Sequence, residues 1–292
     1  MLRSFLENNF NFLKNYVRKV NNKIETFFLE VYAEVKLNFH TQIGGFKMEK
    51  KKLVLIGNGM AGIRAIEEIL KLLPDQFDIT VFGKEPYPNY NRIQLSKVLQ
   101  GDTEIKDITL NEWQWYEDNG ILLYPGETVT KIDKDNQIVY TDKGKETPYD
   151  HLIIATGSNP FMLPLPGADK EGVTAFRDIE DCEKMIDASK NYKRAAVIGG
   201  GLLGLEAARG LLNLGMEVDV IHLADYLMER QLDRPAGELL QKELESQGMN
   251  FHLEKQTAEI TGKKRVTGLK FKDGGAIPAD LVVMAVGIKP NV

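Results

Sequence analysis

The sequence is poor in the residues that build thiol and metal chemistry. Its 292 residues include one cysteine, Cys182, and four histidines. A single cysteine excludes an intrachain disulfide framework, a Cys-x-x-Cys redox pair, a cysteine-rich zinc site and a self-contained iron–sulfur cluster, which needs several thiolates. His40, His151, His222 and His252 are scattered, and no metal-spaced carboxylates accompany them. No metal site is therefore expected, and no Ser/His/Asp set is visible. No run of about 18 uncharged apolar residues occurs, which argues against a transmembrane span. Positive charge is not in excess either: the net charge is −5, giving no reason to expect a nucleic-acid partner. The thiol economy fits a reducing compartment, so the cytoplasm is the expected location. What remains is an ordinary globular composition, 43% hydrophobic and 27% charged, long enough for about two domains at roughly 150 residues each.

Composition changes abruptly near residue 48. Residues 1–47 lack proline, have no glycine before Gly44, and hold seven of the 13 phenylalanines. Phe10, Leu13, Val17, Val20, Ile24, Phe27 and Val31 alternate steps of three and four, a helical stripe. Lys14, Arg18, Lys19 and Lys23 would flank it, as in a surface-seeking or coiled-coil helix. Glu7, Glu25, Glu30 and Glu34 interrupt any secretory signal. A third reading is that this leader of AT-rich codons is not native. Gly44-Gly45-Phe46-Lys47 before Met48 then reflects a ribosome-binding site, and translation is expected to start at Met48.

From there the pattern is regular. Residues 52–56 read as an apolar strand, followed by a glycine turn and a helix to about 73. Residues 79–82 read as a second strand, 122–140 as a small antiparallel meander, and 151–155 as another buried strand. Pro160, Pro164 and Pro166-Gly167 mark a linker. After a helix over 179–189, residues 195–198 begin the strand–glycine–helix pattern again, its helix over 205–214. Gly57 and Gly199, which open the two glycine runs, lie 142 positions apart. The expected fold is α/β, with two Rossmann-like dinucleotide-binding domains and the meander in the first.

The first run is Gly57-Asn58-Gly59-Met60-Ala61-Gly62. Its first glycine permits a tight turn, the second lets a pyrophosphate approach the backbone, and the third packs helix on strand, leaving phosphate on the helix N-terminus. Glu85, 23 residues past Gly62, is placed to accept hydrogen bonds from a ribose diol. The second run is Gly199-Gly200-Gly201-Leu202-Leu203-Gly204. Its following strand, 217–223, contains His222 where an NAD site usually shows Asp or Glu, and no arginine pair signals a 2′-phosphate pocket. His222 is either a cofactor contact or a strand-end residue. Two such units imply two dinucleotides, or one and a degenerate copy. A nicotinamide donating hydride to FAD is the chemically sensible pair, since a flavin passes electrons onward singly.

These residues resemble the two-dinucleotide flavoprotein reductases of the pyridine nucleotide–disulfide oxidoreductase class. Ile153-Ile154-Ala155-Thr156-Gly157-Ser158 is similar to the segment that closes over FAD, and the stretch from Met284 through Gly287 to Asn291 to its counterpart at the exit of the NAD domain. Tyr90-Asn91-Arg92-Ile93-Gln94-Leu95-Ser96-Lys97 is similar to the segment beside the flavin. The resemblance implies that Lys97 sits near the flavin ring and pairs with Glu206, the two forming the catalytic set. It also implies FAD contacts at Gly57, Gly59, Ala61, Gly62 and Glu85. Arg92, Ser96 and Val129 join these, as do Ala155, Thr156 and Gly157. NAD(P)H falls to Gly199, Gly201, Leu202, Leu203 and Gly204, with Glu206, His222 and Gly287. The domains implied are 48–166 for FAD, 167–286 for NAD(P)H, and 287–292 as the start of a return to the first.

A narrower resemblance, carried by Gly57–Gly62, by GGGLLGLEAA from Gly199 to Ala208 and by LMERQLD from Leu227 to Asp233, is to the N-terminal module of the large subunits of NAD(P)H-dependent nitrite reductases. It covers 51–292. Two departures matter. No cysteine lies near 91–97, which excludes thiol–disulfide chemistry, and Cys182, flanked by Asp181 and Glu183, is expected to be inert. The cysteine-rich siroheme and iron–sulfur region is also missing, so the chain by itself is not expected to reduce nitrite. The class returns from the NAD domain to complete the FAD domain, and the sequence stops at Val292 where that return begins; the expectation is an incomplete FAD domain. The implied activity is transfer of hydride from NAD(P)H to FAD and of electrons to a redox partner on another segment or chain, either a siroheme/iron–sulfur domain or a small iron–sulfur protein. A nucleotide-binding remnant without activity and a ferredoxin- or rubredoxin-type reductase fragment stay open, as does a homodimer.

Overall fold

The structure, a computed structural model, describes residues 49–291. The leader readings for 1–47 and the start at Met48 lie outside the described residues.

The first half opens with strand β1 (Lys51–Ile56), whose Leu53, Val54, Leu55 and Ile56 are all buried, as a central parallel strand requires. Gly57 turns the chain into helix α1 (Met60–Leu72), which buries Gly62, Ile63, Ile66 and Ile69 along one face. Strand β2 (Phe77–Gly83) then pairs parallel with β1, Ile56 opposite Phe82. After the short helix α2 (Leu95–Gln100) comes β3 (Leu122–Pro125), parallel to β2. This corrects the expected extent of the meander: Leu122 begins a strand of the main sheet, because Glu127 N bonds back to Gly83 at the end of β2 and Gly126 N to Glu85 just past it, instead of forming a hairpin. The meander itself is β4 (Val129–Asp133), β5 (Ile138–Thr141) and β6 (Glu146–Pro148), antiparallel throughout. Strand β7 (His151–Ile154) returns parallel to β1, giving the sheet order β3-β2-β1-β7. It was expected to be buried. Instead it is the sheet edge, and Ile154 is 59% exposed.

Strand β8 (Ser158–Pro160) leads out, and the second half repeats the design. It contains β9 (Val173–Ala175), α3 (Ile179–Asn191), β10 (Arg194–Ile198), α4 (Leu202–Asn213), β11 (Glu217–Ile221), α5 (Arg234–Ser246) and β12 (Met249–His252). A second meander follows, β13 (Thr257–Thr261), β14 (Gly268–Phe271) and β15 (Ala276–Pro278), before β16 (Leu281–Met284). The parallel sheet runs β9-β16-β10-β11-β12. Helix α4 starts three residues earlier than expected, so Leu202 and Leu203 form its first turn. The strand β11 ends at Ile221, leaving His222 just beyond it. In this half β9 covers β16, all four of whose residues are buried; β7 has no such neighbour among the described residues.

The halves share one apolar cluster. Leu95, Val98 and Leu99 of α2 join Leu205, Ala207, Ala208 and Leu211 of α4. A Cβ at Gly210 would meet Leu99 Cγ at 2.5 Å, so the helices cross where α4 has no side chain. Strand β17 (Ile288–Pro290) pairs antiparallel with β8 and ties the two connections together.

Candidate functional sites: two glycine loops

At the first loop, Gly57 holds φ 110°, and a Cβ there would run into the Ala155 carbonyl. A Cβ at Gly62 would lie 2.8 Å from Gly57 O. Gly59 differs: a Cβ would meet nothing within 4 Å, so the loop is open on that side. Gly59 caps α1 without a side-chain hydrogen bond, and no acidic residue occupies the first turn. The first N–H groups of a helix have no partner within it. Those at Met60, Ala61 and Gly62 therefore present a bare positive end.

The second loop repeats this geometry. Gly199 holds φ 124° against the Ala285 carbonyl, Gly204 packs on Gly199, and a Cβ at Gly201 would meet nothing within 4 Å. Gly201 caps α4, again with no side-chain bond and no acid in the first turn. Leu202 and Leu203 are exposed there. Helices α3 and α5 are built the other way: the Asp178 and Asp233 carboxylates cap them by accepting hydrogen bonds from Asp181 N and Ala236 N. Two bare helix ends under open glycines fit the pyrophosphates of two dinucleotides.

Beside the first loop, both carboxylate oxygens of Glu85 are held by protein. The Tyr90 hydroxyl donates to Oε2 at 2.6 Å, and the Arg92 guanidinium donates to Oε1. Burial pushes the Tyr90 hydroxyl well above its ordinary range. Arg92 also donates to the Arg177 carbonyl at 3.1 Å, stitching Glu85 to the approach to α3. Arg177 escaped sequence reasoning, because no motif contains it and only folding brings it to Arg92. Its Nη2 donates to Ser158 Oγ at 2.8 Å, while its buried Nε has no partner among the described residues. Burial, and then the charge of Arg92, lower its proton affinity. Ser96 Oγ donates to the Ile93 carbonyl at 3.4 Å. Val129 packs on Val54, Ile56, Phe82 and Val139.

The expected pair of Lys97 and Glu206 is not formed. Their helices pack together, yet Lys97 is exposed and no ion pair joins the two among the described residues. Glu206 is half-buried, and burial alone raises its carboxyl.

The connecting segments meet at Asn291. Thr156 Oγ1 donates to Asn291 O (2.7 Å), Asn291 Nδ2 donates to Thr156 O (3.0 Å), and Asn159 Nδ2 donates to Asn291 Oδ1 (2.7 Å). Asn291 N donates to the carbonyl of Gly157, which holds φ 65°. Gly287, at φ 122°, accepts from Phe161 N. Cys182 is far from this chemistry in character: it is 0% exposed, and burial, followed by Asp181, Asp178 and Glu183, pushes its thiol up to about 12.

Fold and loops together define a duplicated dinucleotide-binding α/β protein with an antiparallel meander in each half. The chain belongs to the pyridine nucleotide-disulphide oxidoreductase family, whose sequence model matches residues 51–292. It is 72% identical over 244 residues to a nitrite reductase [NAD(P)H] of Bacillus subtilis, covering 84% of this chain and 30% of that protein. It is 56% identical to an assimilatory nitrate reductase electron transfer subunit of the same organism, covering 84% of this chain and 32% of that protein. The structure of an NAD-dependent persulfide reductase from A. fulgidus superposes with a TM-score of 0.78 at 30% identity, over 82% of this chain and 46% of the other. The chain thus spans about a third of the length of these curated relatives. No described helix is long and apolar enough to cross a membrane.

Proposed function

We propose that this chain is an NAD(P)H:flavin oxidoreductase module that delivers electrons to a partner in nitrite reduction. The observation that carries the reading is the pair of bare, glycine-opened helix ends in one chain, each backed by a parallel sheet. The relatives named for nitrite and nitrate reduction supply the context. Residues 48–166 take FAD, residues 167–286 take NAD(P)H, and 287–292 begin a return to the first half. Bound in the first half, FAD would accept hydride from NAD(P)H and release electrons singly.

The chain's residues bind and orient. Met60, Ala61 and Gly62 present N–H groups to one pyrophosphate, and Leu202, Leu203 and Gly204 to the other. Gly57, Gly62, Gly199 and Gly204 allow the close approach of strand, turn and helix. Glu85, fixed by Tyr90 and Arg92, stands at the end of β2 for the FAD ribose, and the unpartnered Nε of Arg177 suits an oxygen acceptor beside it. A cation brought to Glu206 would offset its burial, and Lys97, without an ion pair among the described residues on the packed helix, is the candidate. The partner is a siroheme/iron–sulfur domain or a small iron–sulfur protein, and the setting is the cytoplasm.

Visible absorption after mixing with FAD and gel filtration tests the reading. A yellow protein with NADH-dependent ferricyanide reduction supports it. A colourless protein that still binds NADH rejects it and leaves a nucleotide-binding remnant.

A further inference from the structure

The second loop recovers a carboxylate that its strand does not supply. His222 follows β11, 18 residues past Gly204, at a place where dinucleotide folds ordinarily offer Asp or Glu to a ribose diol. Matching registers identify its counterpart in the first half. Ile56 pairs with Phe82 and Ile198 with Ile221, so Gly83 corresponds to His222. The packing is exchanged between halves: a Cβ on Gly83 would meet Asn58 at 2.8 Å, and a Cβ on Gly200 would meet His222 at 2.8 Å. Neither strand end carries an acid.

His222 is 8% exposed, and both ring nitrogens are engaged. Its Nδ1 lies 3.1 Å from Gly200 N; a peptide N–H only donates, so Nδ1 is the acceptor and carries no proton. The ring proton is therefore on Nε2, which donates to Glu229 Oε2 at 3.0 Å. The segment bearing Glu229 is itself pinned to the loop. Met228, at φ 59°, donates its N–H to Gly200 O at 3.1 Å, and the fully buried Leu227 packs against Gly200. Glu229 Oε1 has no hydrogen-bond partner among the described residues. Neighbouring cations are engaged elsewhere: Lys255, whose N–H donates to the His222 carbonyl, pairs with Asp273, and Arg234 pairs with Asp225. Arg230 is exposed and has no ion-pair partner among the described residues.

We propose that Glu229, positioned by His222, reads the adenosine ribose at the second loop and selects a dinucleotide with a free 2′,3′-diol over one bearing a 2′-phosphate. The free oxygen of a carboxylate accepts from a ribose hydroxyl, whereas a 2′-phosphate brings like charge against it. The proposal rests on the reading of the second half as the nicotinamide site and names the selecting residue within it.

Fluorescence or calorimetric titration with NADH and with NADPH tests it on the full chain, with thermal melts confirming that each variant is folded. The parent is expected to bind NADH about tenfold more tightly than NADPH. Glu229→Gln should bring the ratio to within about threefold by gaining NADPH affinity, His222→Gln should narrow it in the same direction, and Glu229→Asp should keep most of it. An unchanged ratio in Glu229→Gln overturns the proposal while leaving the second site intact. So does a parent preference for NADPH that Arg230→Ala abolishes, which makes Arg230 a phosphate ligand. A folded parent that binds neither nucleotide overturns the nicotinamide reading itself.

Discussion

Gly57, Gly199 and Gly204 are each required by a backbone neighbour, which separates them from Gly59 and Gly201. Gly57→Ala forces a side chain to φ 110° and into the Ala155 carbonyl. A cost of about 3 kcal/mol or more is expected, read as a lowered denaturation midpoint. Gly201→Ala meets nothing in the chain and should leave stability within about 1 kcal/mol. Because a pyrophosphate would approach that side, it should weaken dinucleotide binding in titrations. Glu206 adds a pH dependence. Burial raises its carboxyl, so the folded state holds the proton more tightly than the unfolded one. Its contribution is most favourable below the unfolded value near 4.5 and is lost as pH rises through the folded value. Glu206→Gln should therefore melt above the parent at pH 8 and near it at pH 4. Cys182, with its thiol pushed up to about 12, should resist alkylation in the native protein and react once denaturant is added.

At the scale of elements, α4 carries the loop at one end and the interface with α2 along its side. Gly210 makes that contact, and Leu99 fills the space a side chain would take. Gly210→Ala should destabilise by about 1–3 kcal/mol, and Leu99→Ala in the same chain should recover part of the loss, a non-additivity that denaturant titration of the double mutant measures. The capped helices respond differently from the bare ones. Asp233→Ala should cost about 1 kcal/mol, since Ala236 N loses its acceptor. No equivalent cap exists on α1 or α4, where the missing carboxylate keeps the helix end free for an anion.

Over the whole described molecule, the halves are joined by the α2–α4 core and by the Asn291 bonds between the outgoing and returning segments. Asn291→Ala removes the bonds to Thr156 O and from Asn159 Nδ2. Amide hydrogen exchange around β8 and β17 should speed up, while exchange in the central strands β1 and β10 stays slow. The duplication also exposes a difference between the halves. The strands of their two parallel sheets and meanders correspond from β1 and β10 onward, but the short antiparallel pair Asn89–Tyr90 and Thr109–Asn111 occurs only in the first half, and β9 covers β16 while nothing among the described residues covers β7. That leaves Ile154 in solvent where its counterpart Met284 is buried.

The local chemistry was legible from sequence alone because short-range rules govern it. A buried β-branched run, a glycine that tolerates positive φ and a helix with an apolar face read the same in any context, so both loops and the duplication are visible at Gly57–Gly62 and Gly199–Gly204. The single cysteine likewise leaves no partner within this chain for a disulfide or a four-thiolate cluster, by count alone. Tertiary structure decided what depends on residues distant in sequence. It placed Leu122 in the main sheet, left β7 at the edge of the sheet among the described residues, formed no ion pair there between Lys97 and Glu206, and set Arg177 beside Arg92. It also gave His222 its two partners, Gly200 and Glu229. Local pattern specifies the backbone geometry of each loop, whereas side-chain partners are fixed only when separate elements pack.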